Sequence, residues 1–473
     1  METQLAVIGG GPGGYAAAFL AADLGMDVVL VDREPRLGGV CLLRGCIPSK
    51  ALLHVAKAMA ETRALEQWGV RYGDPQVDLE RMRRQKEKVI ATLSGGLAQL
   101  ARRRKVRLVR AKAVFEDSRT LRLEPAGDKP PKDRSVRFRH CVLASGSRPL
   151  QIPALATSSP RVMDSRMALE LPEVPHSLLV VGGGYIGLEL GTVYAALGTR
   201  VSVVEMTGGL LPGVDRDLVR PLQKRLEEQF EAIWLQTKVA SLDAGRDHVS
   251  VTFEGKADPG MRRFDRVLVA VGREPDTEGL GLENTRVEVD SRGFVVVDLQ
   301  GRTADPHILA IGDVAGQPML AHKASHQGKV AVEALAGQPA EFNPRAIPAV
   351  VFTDPEIAWA GLTREQAQQQ GRDVQVSPFP WAASGRAQAA GGTEGLTKWL
   401  IDPETQQVLG CGIVGPGAGD LISEAVLAIE MGAHVRDVAE SVHPHPTFSE
   451  TLAGAAEAHL GLATDIYRPR RTR

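Results

Sequence analysis

Two stretches of the chain share one order of apolar, glycine-rich and helical segments. In the first, an apolar run at residues 4–8 precedes a glycine-rich turn, a segment with helical apolar spacing, and a second apolar run ending at Asp32. The same order returns at residues 178–205, which end at Glu205. Strand, glycine turn, helix and strand in this order predict a βαβ unit that binds a dinucleotide. We therefore expect two nucleotide-binding domains.

Outside these two units the periodicity predicts further helices and strands. Helices are expected at 82–105, 322–337, 364–371, 418–431 and 449–460, and strands at 106–124, 136–144, 248–272 and 308–313. From about residue 346 strands and helices continue without a glycine fingerprint, which indicates a third domain of α+β type.

Composition limits the classes of function that the chain can serve. With 473 residues and 50.7 kDa it is long enough for about three domains. Its 56 basic and 57 acidic residues give a net charge of −1, so no nucleic-acid partner is expected. The apolar stretches 6–31 and 178–204 are interrupted by glycines and by charged residues, and neither is expected to span a membrane.

Cysteine content and the first residues favour a reducing, cytoplasmic location. The four cysteines are Cys41, Cys46, Cys141 and Cys411, too few for the disulfide framework of a secreted protein. The amino-terminal sequence METQLAVIGGG lacks the charged and apolar regions of a signal peptide.

Both units carry the fingerprint of a dinucleotide site. Its glycines permit a tight turn, a close approach of the backbone to a pyrophosphate, and close packing of helix on strand. The fingerprint glycines are Gly9, Gly11 and Gly14 in the first unit and Gly182, Gly184 and Gly187 in the second. Asp32 and Glu205 follow about 20 residues later, where an acid binds a ribose hydroxyl. Glu205 favours NAD, because a carboxylate repels the 2′-phosphate of NADP.

Cys41 and Cys46 lie in the segment GGVCLLRGCIPSK, which spans residues 38–50. In an ideal helix their Cα atoms would be about 8.6 Å apart, whereas a disulfide tolerates at most about 7 Å. A bond between them therefore requires a distorted helix, and Gly45 and Pro48 suit such a distortion. A local bond under strain is easily reduced, as a catalytic disulfide must be. The alternatives are a metal site and two inert thiols.

These segments resemble the flavin-dependent pyridine nucleotide–disulfide oxidoreductases, and within them the branch that oxidises dihydrolipoyl groups. The motifs are GGVCLLRGCIPSK, ASGSRP at 144–149, GGGYIGLE at 182–189, VGREP at 271–275, AIGD at 310–313, MLAHKASHQG at 319–328 and HPHPTFSE at 443–450. The resemblance runs from Leu5 to about Arg468. It implies an α/β fold with two Rossmann-like dinucleotide-binding domains plus an α+β C-terminal dimerisation domain. The implied boundaries are 1–150 for FAD, 151–273 for NAD, 274–345 for a central segment completing the FAD domain, and 346–473 for the interface.

The resemblance also implies which residues bind the cofactors FAD and NAD. Those expected at FAD are Gly9, Gly11, Gly14, Asp32, Gly39, Lys50, Ala113, Ser145, Gly146, Ser147, Asp313, Met319, Ala321 and His322. Those expected at NAD are Gly182, Gly184, Gly187, Glu205 and Gly272.

The resemblance assigns catalytic roles as well. Cys41 is expected to be the outer thiol that exchanges with substrate, and Cys46 the inner thiol beside the flavin. Lys50 is expected to pair with Glu189 near the flavin. No metal is expected.

The tail is expected to supply a base. By resemblance, His445 takes the proton of a substrate thiol, and Glu450 orients its ring and stabilises its cation. In this family that pair reaches the disulfide of the other subunit, which implies a homodimer. His443, two residues earlier, is expected to be a solvent-exposed loop histidine.

The implied reaction is the oxidation of a dihydrolipoyl group, on dihydrolipoamide or on a lipoyl-carrying protein, with reduction of NAD to NADH. The partner complexes implied are 2-oxoacid dehydrogenase and glycine cleavage complexes. The alternative is an NAD(P)H-dependent reductase of another small disulfide, against which Glu205 argues. A mercuric reductase would carry further cysteines after Cys411, and intact catalytic residues argue against a flavin-bearing scaffold without turnover.

Five sites depart from the family pattern. They are Asp32 for Glu, Ala113 for Gly, Asp276 for Asn, Gln327 for Glu, and the unusual Leu42–Arg44 segment between the two cysteines. The last change is expected to act on the lipoyl entrance or on the flavin potential.

Overall fold

The computed structural model describes residues 1–127 and 130–467. Its first layer is a six-stranded sheet whose central strand, Glu2–Ile8, pairs in parallel with strands on both sides. The strands are Glu2–Ile8, Val28–Asp32, Arg107–Asp117, Thr120–Pro125, Ser135–Leu143 and Ile308–Ala310. The helices around it are Pro12–Asp23, Gly39–Arg44, Cys46–Ala64, Leu79–Arg103 and Ala321–Leu335. The late strand Ile308–Ala310 runs parallel to Ser135–Leu143 at the sheet's edge.

The second fingerprint belongs to a separate parallel sheet of five strands. They are Ala232–Trp234, Arg200–Val204, Ser177–Val181, Arg266–Val269 and Val162–Met163, in spatial order. An antiparallel sheet of Thr237–Ala244, Val249–Gly255 and Arg262–Phe264 accompanies it. The helices are Ser165–Glu170, Tyr185–Ala196 and Arg216–Gln229. A two-stranded ribbon, Ser147–Pro149 with Arg273–Pro275, joins the chain entering this region to the chain leaving it.

The third region is a five-stranded antiparallel sheet packed with helices. Its strands are Ala349–Val351, Ile357–Gly361, Val408–Val414, Leu396–Ile401 and Gln375–Pro380, in spatial order. Its helices are Arg364–Gln369, Gly385–Ala390, Ala418–Glu430, Val435–Glu440 and Glu450–Leu460. Trp381 and Trp399 are fully buried in its core, and both indole N–H groups donate hydrogen bonds, to Thr397 Oγ1 and to the Leu452 carbonyl.

The first fingerprint shows why glycine is needed there. Gly9 has φ +102°, and a Cβ on it would lie 2.2 Å from the Ala144 carbonyl oxygen. A Cβ on Gly14 would lie 1.8 Å from the Gly9 carbonyl oxygen. Any side chain would therefore push the helix away from the strand.

One helical stretch, residues 39–68, has the length and apolar composition of a membrane span. It is two helices with a break at Gly45, followed by the short turn Leu65–Trp68. Core helices of globular proteins meet the same criteria, and the first part of this stretch lines the cavity described below.

The fold class expected from the sequence is confirmed. The boundaries of single elements differ in detail: the strand expected at 106–124 is two strands that turn at residues 118–119, and the region 248–272 holds three strands. The basic run Arg468–Arg473 lies outside the described residues.

Candidate active site

A cavity lies at the carboxyl end of the first sheet, beneath the first fingerprint. The predicted residues that line it are Gly9, Gly11, Asp32, Gly39, Lys50, Ala113, Ser145, Gly146, Ser147, Asp313, Met319 and Ala321, together with Cys41, Cys46 and Glu189. Two predicted residues do not line it. Gly14 packs under Gly9, and the His322 ring extends outward to the Pro348 carbonyl oxygen, 2.8 Å away.

The cavity suits a dinucleotide. Pro12 begins the helix Pro12–Asp23, so the backbone N–H groups of its first turn face the fingerprint turn and form an anion site. The hydroxyl of Ser145, which lines the cavity, is buried and has no hydrogen-bond partner among the described residues. A polar atom left in this way at a cavity wall indicates a ligand.

Each fingerprint acid is bound to its own glycine turn. Asp32 accepts hydrogen bonds from the backbone N–H groups of Gly10 and of Glu34, the latter at 2.8 Å. Burial raises the pKa of Asp32, although these two N–H groups oppose the rise.

Glu205 repeats this arrangement in the second unit. It accepts from the N–H groups of Gly183 and Thr207, each at 2.7 Å. The fingerprint glycines Gly182, Gly184 and Gly187 lie at the turn between Ser177–Val181 and Tyr185–Ala196, and Gly272 begins the chain segment leaving the same sheet.

The two cysteines lie on either side of a break between helices. Cys41 belongs to Gly39–Arg44 and Cys46 begins Cys46–Ala64. Gly45 between them has φ −146° and ψ −112°, far from helical values. The distortion that a bond between the two would require is therefore present, at the glycine where it was predicted.

Both cysteines are free thiols in this structure, and their pKa values differ. A hydrogen bond from the Cys41 thiol lowers the pKa of Cys46 to about 7, and the charge of Lys50 adds to this effect. The same hydrogen bond, together with burial, raises the pKa of Cys41. Cys46 is therefore the thiol that ionises first. Cys141 and Cys411 are buried, which raises the pKa of each, as expected for inert thiols.

Lys50 and Glu189 form an ion pair at the cavity wall, with Nζ 2.7 Å from Oε2. Glu189 is only 3% exposed, and its other oxygen accepts from the Phe352 N–H at 3.0 Å. The Lys50 ammonium also lies 4.5 Å from the centre of the Phe352 ring. This group connects the helix Cys46–Ala64, the second unit and the third region.

Asp313 lies in a turn held from two sides. It accepts from the Ser147 hydroxyl at 2.5 Å, and that hydroxyl in turn accepts from Arg273 Nε at 2.8 Å. Behind the turn, Lys323 Nζ donates to the Gly316 carbonyl at 2.8 Å, and burial lowers the pKa of Lys323 to about 8. Arg273 and Lys323 were not predicted as site residues. Their positions within VGREP and MLAHK were the only signal available.

His445 and Glu450 form a pair with Nδ1 2.8 Å from Oε1. The Glu450 carboxylate also accepts from the Thr447 N–H at 2.7 Å. Burial alone would raise the pKa of Glu450, but the Thr447 N–H and the His445 ring bring it below its usual value. The His445 side chain is 76% exposed, so its second ring nitrogen is open to another molecule.

The expectation for His443 is wrong. Its side chain is 9% exposed, with Nε2 2.7 Å from Glu424 Oε1 and Nδ1 2.8 Å from the Ser441 carbonyl. The ring folds against the helix Ala418–Glu430, and this contact lies 19 residues away in sequence.

Comparison with known proteins gives one consistent result. Residues 3–328 match the model for pyridine nucleotide-disulphide oxidoreductases, and residues 347–456 match the dimerisation domain of the same proteins. The chain is 48% identical to the dihydrolipoyl dehydrogenase of Haemophilus influenzae over 98% of this chain and 97% of that protein. It is 42% identical to that of Geobacillus stearothermophilus, with 98% of each chain covered.

Solved structures are similar over nearly the whole chain. LpdA from Mycobacterium tuberculosis aligns with a TM-score of 0.88 at 25% identity, covering 96% of this chain and 99% of that one. The HOCl-induced flavoprotein disulfide reductase RclA from Escherichia coli aligns with a TM-score of 0.84 at 27% identity, covering 95% and 98%.

Proposed function

Since the chain belongs to the pyridine nucleotide-disulphide oxidoreductase family, we propose that it oxidises dihydrolipoyl groups to lipoyl disulfides and reduces NAD to NADH. The observation that carries the proposal is the pair Cys41 and Cys46, placed across the helix break at Gly45 on the wall of a dinucleotide cavity. The relatives named dihydrolipoyl dehydrogenase support the choice of substrate.

The cofactors of this enzyme class are FAD and NAD. When bound, FAD supplies a two-electron acceptor for the dithiol and a hydride donor for NAD. The first fingerprint and Asp32 would hold its adenosine and pyrophosphate, while Ser145 and Asp313 would offer polar contacts further along the cavity. The second fingerprint and Glu205 would hold NAD.

The chain's own residues account for the thiol chemistry. A substrate thiol gives its proton to His445 Nε2, because Nδ1 is held by Glu450. The substrate sulfur bonds to Cys41 as the Cys41–Cys46 bond breaks, and Cys46 leaves as a thiolate that the charge of Lys50 stabilises. The second substrate thiol then attacks the substrate sulfur that is bonded to Cys41. This breaks the mixed disulfide, releases the lipoyl disulfide and passes the second proton to Cys41, so that the cysteine pair is left reduced.

The dimerisation domain supports a homodimer. His445 is exposed on its own chain, and we propose that it serves the cysteine pair of a second copy. Service in a 2-oxoacid dehydrogenase or glycine cleavage complex, and a cytoplasmic location, belong to the same proposal.

A second candidate is the NAD(P)H-dependent reduction of another small disulfide. The Leu42–Arg44 segment, unusual for a lipoyl enzyme, and the structural likeness to the RclA disulfide reductase favour it. Glu205 argues against NADPH as the reductant in this reaction, because its carboxylate lies at the ribose position of the second fingerprint.

The test compares NAD reduction by dihydrolipoamide with the reduction of glutathione disulfide by NADPH. We expect rapid NAD reduction with dihydrolipoamide and little activity in the second assay. The variant Cys46→Ser should keep bound FAD and lose lipoyl turnover. A yellow protein without lipoyl turnover would refute the substrate and leave the second candidate standing.

A further inference from the structure

Most of the positions that depart from the family pattern converge in space, although Gln327 does not line the cavity. Asp32, Arg44, Ala113 and Asp276 all line the same cavity, although they come from four separate segments of the chain. Arg44 and Asp276 bind Glu34 and Arg33, the two residues that come after Asp32. The departures therefore cluster where the adenosine half of FAD is expected, if the proposed function holds.

The first connection is an ion pair between the helix Gly39–Arg44 and the loop after Asp32. Arg44 Nη2 lies 2.6 Å from Glu34 Oε1, with the two side chains 18% and 24% exposed. The backbone N–H of Glu34 is itself bound to Asp32 Oδ1 at 2.8 Å. Arg44 thus binds the residue whose backbone N–H is bound to Asp32.

The second connection ties the neighbouring residue of that loop to the other wall. Arg33 Nη2 lies 2.9 Å from Asp276 Oδ2, with the Arg33 side chain 58% exposed and that of Asp276 15% exposed. The Asp276 backbone N–H donates to the Gly146 carbonyl at 3.0 Å, which fixes its position beside the Ser145–Ser147 turn. An asparagine at 276 would keep the shape and remove the charge.

We propose that these two ion pairs form a clasp that retains the adenosine half of FAD. The clasp is defined as Arg44 with Glu34 and Arg33 with Asp276. It holds residues 33–34 against the helix Gly39–Arg44 on one side and against the segment after Arg273–Pro275 on the other. All four residues line the cavity, so loss of either pair should free this loop and speed the release of FAD.

The expected change in the rate of FAD release depends on how far the two ion pairs are exposed to solvent. Ion pairs at a partly solvated wall change an equilibrium or a rate by up to about fivefold each. Loss of both pairs should therefore speed FAD release by about tenfold. Salt should weaken the clasp in the same direction, because screening shortens the range of the attraction.

The experiment measures the rate of FAD release from the holoenzyme by recovery of flavin fluorescence, at low and at high salt. The variants are Arg44→Met, Asp276→Asn and their combination. Arg36→Gln is the matched control, because Arg36 binds Glu87 at 2.5 Å from the same loop without lining the cavity. Glu34→Gln added to Arg44→Met tests whether the two partners act as a pair.

We expect the combined variant to release FAD about tenfold faster than the unchanged protein and to lose most of the salt dependence. Glu34→Gln should add little once Arg44 is replaced. Release rates equal to that of Arg36→Gln would overturn the clasp, as would an unchanged response to salt. Because FAD release is read without substrate, a failure of lipoyl turnover would count against the proposed function and leave this result intact.

Discussion

Replacing Lys398 with methionine should loosen the attachment of the second unit to the third region. Lys398 lies on the strand Leu396–Ile401 with its side chain 1% exposed. Its ammonium is 2.6 Å from Asp215 Oδ2 and 2.6 Å from Asp217 Oδ1, at the start of the helix Arg216–Gln229. Methionine fills a similar volume and removes the charge that compensates both carboxylates.

The loss of stability depends on which charged groups remain buried after Lys398 is replaced. Breaking a buried ion pair from one side costs about 3–5 kcal/mol, because a charge stays behind without its partner. Asp215 is buried but keeps the Arg364 N–H at 3.1 Å, and Asp217 is exposed enough to regain water. We therefore expect a loss near the lower end, about 3 kcal/mol.

The measurement is urea unfolding of the holoenzyme, with Lys224→Met as the control. Lys224 lies on the same helix and pairs with Glu394 at 3.0 Å, but both side chains are well exposed. Its loss should leave the unfolding midpoint nearly unchanged, because an exposed ion pair contributes little to stability. Equal shifts of the two midpoints would refute the argument that burial makes the Lys398 group important.

Three further predictions concern the site. Cys41→Ala removes the hydrogen bond that chiefly lowers the pKa of Cys46. Alkylation of Cys46 at pH 7 should therefore slow by up to about fifteenfold, as its thiolate fraction falls from about half toward about one in thirty. Cys41→Ser keeps a donor and should slow alkylation less, and equal rates in the two variants would contradict this. Glu450→Gln should slow lipoyl oxidation by about tenfold to a hundredfold while the reduction of dyes by NADH continues, and equal losses in both assays would mean a structural role. Lys323 has a folded pKa of about 8 against 10.5 for a free lysine. Between these two pH values the folded protein binds fewer protons than the unfolded chain, so its stability should rise with pH. Lys323→Met should flatten that rise in unfolding curves, and an unchanged slope would count against the role given to Lys323.

The parts of the site that the sequence predicted well depend on local geometry. Gly9 takes φ +102°, and a Cβ on Gly14 would clash with the Gly9 carbonyl within the same turn, so that requirement appears as a spacing within a few residues. The break at Gly45 was predictable for the same reason, since the distance along a helix is known.

Long-range contacts were beyond such reasoning. The His443 ring is partly buried and pairs with Glu424, and nothing in the sequence around position 443 indicates that contact. Arg33 meets Asp276 across 243 residues of sequence. The sequence marked Asp276 and Arg44 as unusual but offered no reason to connect them.

The two fingerprint acids have a consequence for what can bind beside them. A carboxylate has about four acceptor sites, and Asp32 and Glu205 each give two of them to backbone N–H groups. Two sites remain on each acid, which is the number that the neighbouring 2′ and 3′ hydroxyls of an unmodified ribose require. If each acid binds a ribose as proposed, a nucleotide phosphorylated at the 2′ oxygen would bring acceptors to acceptors, and backbone bonds that are already made before the ligand arrives would set this selection.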